Sequence, residues 1–415
     1  MAGESNIATR EQTPSISIPT QHQIIKMGNE SKEQFPWDLG VFDAHCHPTD
    51  TVANISSIPD MRAKILTIMA TRAQDQELVA ETAEKLGVKS KSQRDWSSKQ
   101  KVIPCFGWHP WFSHQLFDEA IYPATTTLTS DQKVEHYQAA LTPRPTDRDF
   151  LLRLPDPRPL SVFLAETRQY LEKYPLSLIG EVGLDKQFRI PEARLPDQKT
   201  ERDEALTPGG REGRQLSPYR VSMDHQKKVL LAQLHLAGEL GRATSVHGVQ
   251  AHGVVFNTLQ ETWKGHERIV LSKRERKKQE AASQTPTSAR DEYMTEGQGQ
   301  PKSTPYAPRI CLHSYSGPPE TIKQYLDPRI PAQIFFSFSS VVNFSHAGVS
   351  KSEEAVKTVP DDKILIESDL DAAGERMDGY LEEIVRKICE IKGWGLEEGV
   401  KQLAHNWRSF VFGDE

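Results

Sequence analysis

Short runs of apolar, β-branched residues recur at 41–45, 64–70, 102–107, 177–182, 243–247, 309–313, 334–338 and 363–367. Between them the apolar spacing changes to about 3.6 residues, the period of a helix with one buried face, as at 74–86, 162–174, 219–240 and 378–392. Strands alternating with helices predict a parallel sheet, because each strand needs a crossover before the next can run the same way. Eight such units predict an α/β fold of the (β/α)8 TIM-barrel type; an open doubly wound sheet would give a similar pattern. A barrel takes about 250 residues, so this chain of 415 carries more than a barrel. Residues 1–38 are polar and rich in Ser, Thr, Gln and Glu, and are expected to form a disordered tail. Residues 39–415 then form a single barrel with polar insertions near 88–100, 115–158, 188–218 and 268–308.

Composition narrows the function. Hydrophobic residues make up 37% of the chain, which fits a real core diluted by polar insertions. With 51 basic and 57 acidic residues the net charge is -6, so the chain as a whole is no polycation for nucleic acid, and an anionic substrate would need a local positive centre. No apolar stretch of about 18 residues predicts a membrane span. The opening MAGESNIATREQTPS lacks the apolar core of a secretion signal. Cys46, Cys105, Cys311 and Cys389 show no CxxC spacing, as expected of reduced thiols in the cytoplasm or nucleus.

Chemistry-bearing residues collect where strands end. Asp43, His45 and His47 are two apart at the end of the first strand and so point to one face, the barrel interior, where unpaired polar groups are costly. A divalent cation removes that penalty. Glu181 leaves the fourth strand, His247 the fifth, His313 the sixth and Asp369 the eighth. Active sites of parallel barrels sit at this C-terminal face. Together with His45 and His47 these make six candidate ligands, more than one four-coordinate ion needs and suited to two ions about 3.5–4 Å apart. Glu181 lies between the His45/His47 side and the His247/His313 side, and is the natural bridge. Asp369 would bind one ion and orient or deprotonate the attacking water, so the pattern predicts metal-assisted hydrolysis. His109 follows the third strand between Trp108 and Pro110, and reads as a substrate-contacting or proton-handling group. Trp108 and Trp111 would stack a base or belong to the core. Asp185 and Glu367 read as groups that orient the ligands, and His225 and His235 as ordinary helix-surface residues.

The strings FDAHCH at 42–47, GWHP at 107–110, IGEVGLD at 179–185, SVHG at 245–248, CLHSYSG at 311–317, IESD at 366–369 and HNWRSF at 405–410 resemble, in order, those of the TatD family of metal-dependent deoxyribonucleases. The resemblance covers about residues 40 to 412. It implies a (β/α)8 barrel, hydrolysis of DNA phosphodiesters and two divalent ions (zinc, magnesium or manganese). Carried over, it makes His45, His47, Glu181, His247, His313 and Asp369 the metal ligands and puts His109 at the substrate phosphate, with Asp369, Glu181 and His109 as the catalytic set. The chain departs from the family at Val249, where an Arg is usual, at Lys186, where an aromatic is common, and at Asp371, where Pro is frequent. Losing an Arg removes a fork suited to phosphate.

The insertions are similar to those of a fungal TatD-like group named for interaction with a cell-cycle ubiquitin-ligase subunit, so an adaptor that binds a protein through its insertions is a second reading. A third is an amidohydrolase-type enzyme acting on small amides, lactones or esters. Many of those barrels bridge their metals through a modified Lys on strand four, where this chain offers Glu181 directly. The run KRERKK at 273–278 reads either as a nuclear-localisation or nucleic-acid patch or as a solvated insertion.

Overall fold

The computed structural model describes residues 33–123, 126–193, 203–270, 274, 305–345 and 349–413. Its sheet has eight strands in chain order: β1 (Phe42–Cys46), β2 (Ile65–Met69), β3 (Val102–Phe106), β4 (Leu178–Asp185), β5 (Thr244–Val249), β6 (Arg309–Leu312), β7 (Gln333–Phe338) and β8 (Ile364–Ile366). Every neighbouring pair is parallel. The seam between β8 and β1 is bridged just beyond the strands, where His47 N–H donates to Leu370 O (2.8 Å) and Asp369 N–H to His45 O (3.1 Å). The result is a nearly closed (β/α)8 barrel with every strand limit within three residues of that expected.

Apart from a single turn at Ser340–Asn343, the α-helices among the described residues are α1 (Gln76–Leu86), α2 (Ser130–Ala140), α3 (Arg148–Arg153), α4 (Leu160–Lys173), α5 (Met223–Glu239), α6 (His252–Trp263), α7 (Pro319–Tyr325), α8 (Val349–Thr358), α9 (Glu375–Lys392) and α10 (Leu396–Phe412). Helix α10 packs against the beginnings of β1 and β8. Trp407 stacks on Phe42 with ring centroids 4.5 Å apart, and Asn406 Nδ2 donates to Asp361 O (2.6 Å) and Ile364 O (2.8 Å). That plugs the end of the barrel opposite the polar strand exits. The strands are buried along most of their length, Ile65, Ile103, Leu178, Phe335 and Leu365 among the buried residues.

Two surplus segments are better packed than their composition suggests. Within 115–158, α2 and α3 enclose a small core of Val134, Tyr137, Leu141, Phe150, Leu151 and Leu154, which Ile190 and Val221 complete. Thr129 and Gln132 form a capping box that starts α2. In 88–100, Trp96 packs edge-on against Phe42 and Trp407. These apolar stripes are too short to register against their polar surroundings. The same packing overturns the surface reading of His225, which is half-buried with its Nε2–H donating to Ser113 O (2.9 Å); His235 is exposed as expected. Residues 1–32 of the expected tail, and KRERKK apart from Arg274, lie outside the described residues. Among the described residues no helix is long and apolar enough to cross a membrane.

Candidate metal centre

The polar residues at the strand exits converge on one carboxylate. Glu181 is 3% exposed, and five histidines lie within 3.5 Å of its two oxygens. Oε2 faces His47 Nε2 (3.2 Å) and His45 Nε2 (3.5 Å). Oε1 faces His313 Nε2 (2.7 Å), His247 Nδ1 (2.8 Å) and His109 Nε2 (3.1 Å). Asp369 Oδ1 closes the first group, 3.8 Å from His45 Nε2 and 3.7 Å from His47 Nε2. All six expected ligands therefore meet, and His109 meets them.

Local irregularities in the strands make this possible. The β1–β2 register shifts between Asp43 and Cys46, and the β4–β5 register between Ile179 and Val182. A bulge re-aims a side chain, and each of these holds a ligand, His45 or Glu181. The first also corrects the expectation that Asp43 shares the face of His45 and His47. The Asp43 carboxylate instead accepts from Ser368 N–H (3.0 Å) and Ser368 Oγ (2.5 Å), tying β1 to the end of β8. Gly183 lets β4 run close beside the ligand on β5, since a Cβ there would sit 2.2 Å from His247 O. Ser314 and Asp369 adopt positive φ angles of 40° and 55°. Such conformations cost roughly 1–3 kcal/mol and persist only where neighbours hold them; Ser314 N–H donates to Glu367 Oε1 (2.6 Å) and Ser314 Oγ to Asp369 Oδ2 (3.1 Å).

A second ring of groups orients the imidazoles. Asp185 Oδ2 accepts from His247 Nε2–H (3.1 Å) and from Trp111 Nε1–H (2.6 Å), while its Oδ1 takes the N–H groups of Gln187 and Phe188. With a proton held at Nε2 by Asp185, His247 has Nδ1, which faces Glu181, as the nitrogen that would bind a metal. His45 Nδ1 meets Ser245 Oγ at 2.8 Å, and His313 Nδ1 lies 3.6 Å from Glu367 Oε1. This agrees with the orienting role expected of Asp185; Glu367 lies beyond hydrogen-bond reach of His313 Nδ1 and instead accepts from Ser314 N–H. His109 is different: its Nδ1 accepts from Trp111 N–H (3.2 Å), so the neutral ring carries its proton on Nε2 and donates it to Glu181. A ring in that tautomer offers the cleft a hydrogen rather than a lone pair.

Electrostatics follow from the crowding. Burial pushes His45 down to about 3 and His109 to about 4, so both rings are neutral. Burial acts on His47 too, but Glu181, Asp50 and Asp369 outweigh it and hold the ring at about 9. His313 is likewise raised well above the ordinary value, against burial, by Glu181 and Glu367. Burial would lift Glu181, yet His109, His313 and His45 keep it well below the usual carboxylate range. Asp369 is pushed up to about 6 by burial. Protons on His47 and His313 thus balance the carboxylates here, a task a divalent cation performs equally well while displacing them. The donor set fits such ions. His45 Nε2 and His47 Nε2 lie 3.0 Å apart, and His247 Nδ1 and His313 Nε2 3.1 Å, close to the roughly 3.3 Å between two imidazole nitrogens on one tetrahedral zinc.

Residues 42–411 match the family described as TatD related DNase. The chain belongs to that family. It is 35% identical over 371 residues to the Cut9-interacting protein scn1 of Schizosaccharomyces pombe, covering 89% of this chain and 98% of the relative. It is 26% identical over 332 residues to an uncharacterized deoxyribonuclease of Saccharomyces cerevisiae, covering 79% and 82%. Among solved structures, a TatD family hydrolase from Entamoeba histolytica aligns over 90% of this chain and 99% of its own length, at 12% identity and a TM-score of 0.49.

In this TatD family member the metal centre floors a cleft of about 480 Å³. Trp111, Phe112, Phe188 and Val249 give it an apolar wall. Of the two tryptophans near His109, Trp108 is core, 1% exposed, whereas Trp111 faces the cleft and stacks on Phe188 at 4.3 Å. The other wall was missed in the sequence. Arg72, just past β2, pairs with Asp50 (2.8 Å) and Asp75 (3.1 Å) and donates through Nε to Pro208 O (2.9 Å). It thereby pins the 206–212 stretch of an insertion over the cleft, where Leu206, Arg211 and Glu212 line the mouth. Ser245, Ser314 and Ser368 stood inside the motifs already quoted, but only their distant partners reveal what they hold.

Proposed function

We propose that this protein is a metal-dependent phosphodiesterase acting on DNA, and that His45, His47, Glu181, His247, His313 and Asp369 would hold two divalent ions of zinc, magnesium or manganese. One observation carries the reading: the two oxygens of Glu181 face different donors, Oε2 His45 and His47, beside which Asp369 lies, and Oε1 His247 and His313. Two ions so held would supply positive charge to the attacked phosphate and make water a better nucleophile near neutral pH. Asp369, whose Oδ2 accepts from Ser314 Oγ, would take the proton of the attacking water. His109 donates its Nε2–H to a phosphate oxygen once the substrate draws it from Glu181. The Trp111–Phe188 wall keeps bulk water from that side and offers a ring face to a base. We place this activity in the cytoplasm or nucleus.

A protein-binding role is compatible with hydrolysis, and it is favoured by the relative named for its interaction with Cut9. The test of the enzymatic reading is hydrolysis of bis(4-nitrophenyl) phosphate and of labelled oligodeoxynucleotides after loading with each metal. Turnover that chelator abolishes, and that the Glu181→Ala variant lacks, supports it. Absence of turnover with zinc, magnesium and manganese alike overturns it.

A further inference from the structure

Beside the metal cleft runs a second groove of about 540 Å³. Trp111, Phe188 and Val249 line both cavities, so the partition between them is one stacked aromatic pair and one small side chain. On the far side the groove is basic. Arg189 is exposed on its rim, and Arg220 is half-buried with Nε donating to Gln187 O (3.3 Å), which steadies its guanidinium. Lys186 is exposed on the same connection after β4. The only carboxylate in the lining among the described residues is Asp185, and its oxygens already serve His247, Trp111 and two backbone N–H groups. The groove therefore presents a net positive charge, two guanidinium groups against the one carboxylate of Asp185, next to aromatic surface, in a chain whose net charge is -6. That pairing suits a single-stranded polynucleotide, whose phosphates need cations and whose bases need ring faces.

The geometry points to a subsite: we propose that Arg189 and Arg220 bind the backbone of a single-stranded polynucleotide that continues past Val249 from a phosphate at the metal centre, with a base against the Trp111–Phe188 pair. The proposal rests on the phosphodiesterase reading.

The test is fluorescence anisotropy of a labelled 15-nucleotide single strand with the full chain, in chelator so that nothing is cleaved. The Arg189→Gln/Arg220→Gln variant should bind on the order of tenfold more weakly, and the slope of log affinity against log salt should fall by about 1.4, two phosphate contacts' worth. Arg189→Gln alone, at an exposed side chain, should give about half that change in slope, which keeps the test decisive should the double variant fold poorly. Wild-type affinity and salt slope in both variants would overturn the subsite, as would failure of the wild type to bind the strand. Loss of the phosphodiesterase reading shows itself separately, as strand binding without turnover of any diester by the metal-loaded enzyme.

Discussion

Replacing Asp185 by Asn tests whether the groups behind the histidines set the properties of the metal centre. Asp185 is 4% exposed and accepts four hydrogen bonds, two per oxygen. An amide has one oxygen to offer. If that oxygen stays with the Gln187 and Phe188 N–H groups, the NH2 faces His247 Nε2 and Trp111 Nε1–H. His247 would then accept at Nε2 and carry its proton on Nδ1, 2.8 Å from Glu181 Oε1, where a metal needs a lone pair. Loss of such an outer partner weakens metal affinity by roughly 10–100-fold, about 1.4–2.7 kcal/mol. The assay is competition with a chromophoric chelator, titrating zinc or manganese into metal-free protein. One site should weaken while the site on the His45/His47 side keeps its affinity. Two sites within twofold of wild type would refute the reasoning. A lower melting temperature would not rescue it, since the unpaired Trp111 N–H alone accounts for roughly 1–3 kcal/mol of stability.

Three further outcomes follow from the packing. Leu151→Ala, at a fully buried position in the small core of α2 and α3, should cost about 2–5 kcal/mol in urea denaturation; a cost under about 1 kcal/mol would mean that the 115–158 insertion is only loosely attached. Asn406→Ala leaves the carbonyls of Asp361 and Ile364, just before and at the start of β8, without this donor and should cost about 1–3 kcal/mol without changing metal content; altered metal stoichiometry would show that α10 reaches the site. Burial holds His114 at about 3 and His136 at about 4, both neutral in the fold. The unfolded chain protonates them near 6.5, so it binds more protons as pH falls, and stability should drop below pH 6.5 by up to about 2 kcal/mol for each at pH 5. A His136→Gln variant whose stability falls just as steeply between pH 7 and pH 5 would refute its share.

The barrel and the convergence of the six candidate ligands were legible because a polar residue ending an apolar strand stands out against its neighbours, and five strands carry one. Regular periodicity also gave the strand limits to within a few residues. What stayed hidden depends on partners far away in the chain. The bulge at β1 inserts no visible mark, so Asp43 looked like a third group on the ligand face until Ser368, 325 residues on, was seen to hold it. Arg72 lies outside every quoted motif, and its value comes from Pro208, 136 residues later. His225 sits on a helix whose surface is covered by an insertion, and helical spacing cannot tell a covered face from a wet one. Trp96 and the small core around Tyr137 were diluted by polar residues on both sides, which is why composition assigned them to surplus. The tautomer of His109, which separates it from the lone-pair donors, depends on one backbone N–H, that of Trp111.

The central claim is a centre for two ions bridged by Glu181, and metal content per chain tests it most directly. Wild type and Glu181→Ala would each be reloaded with zinc or manganese, freed of excess metal and measured by elemental analysis. The account predicts about two ions per wild-type chain, and no more than one in the variant. No retained metal in wild type, or two ions retained by Glu181→Ala, would contradict it.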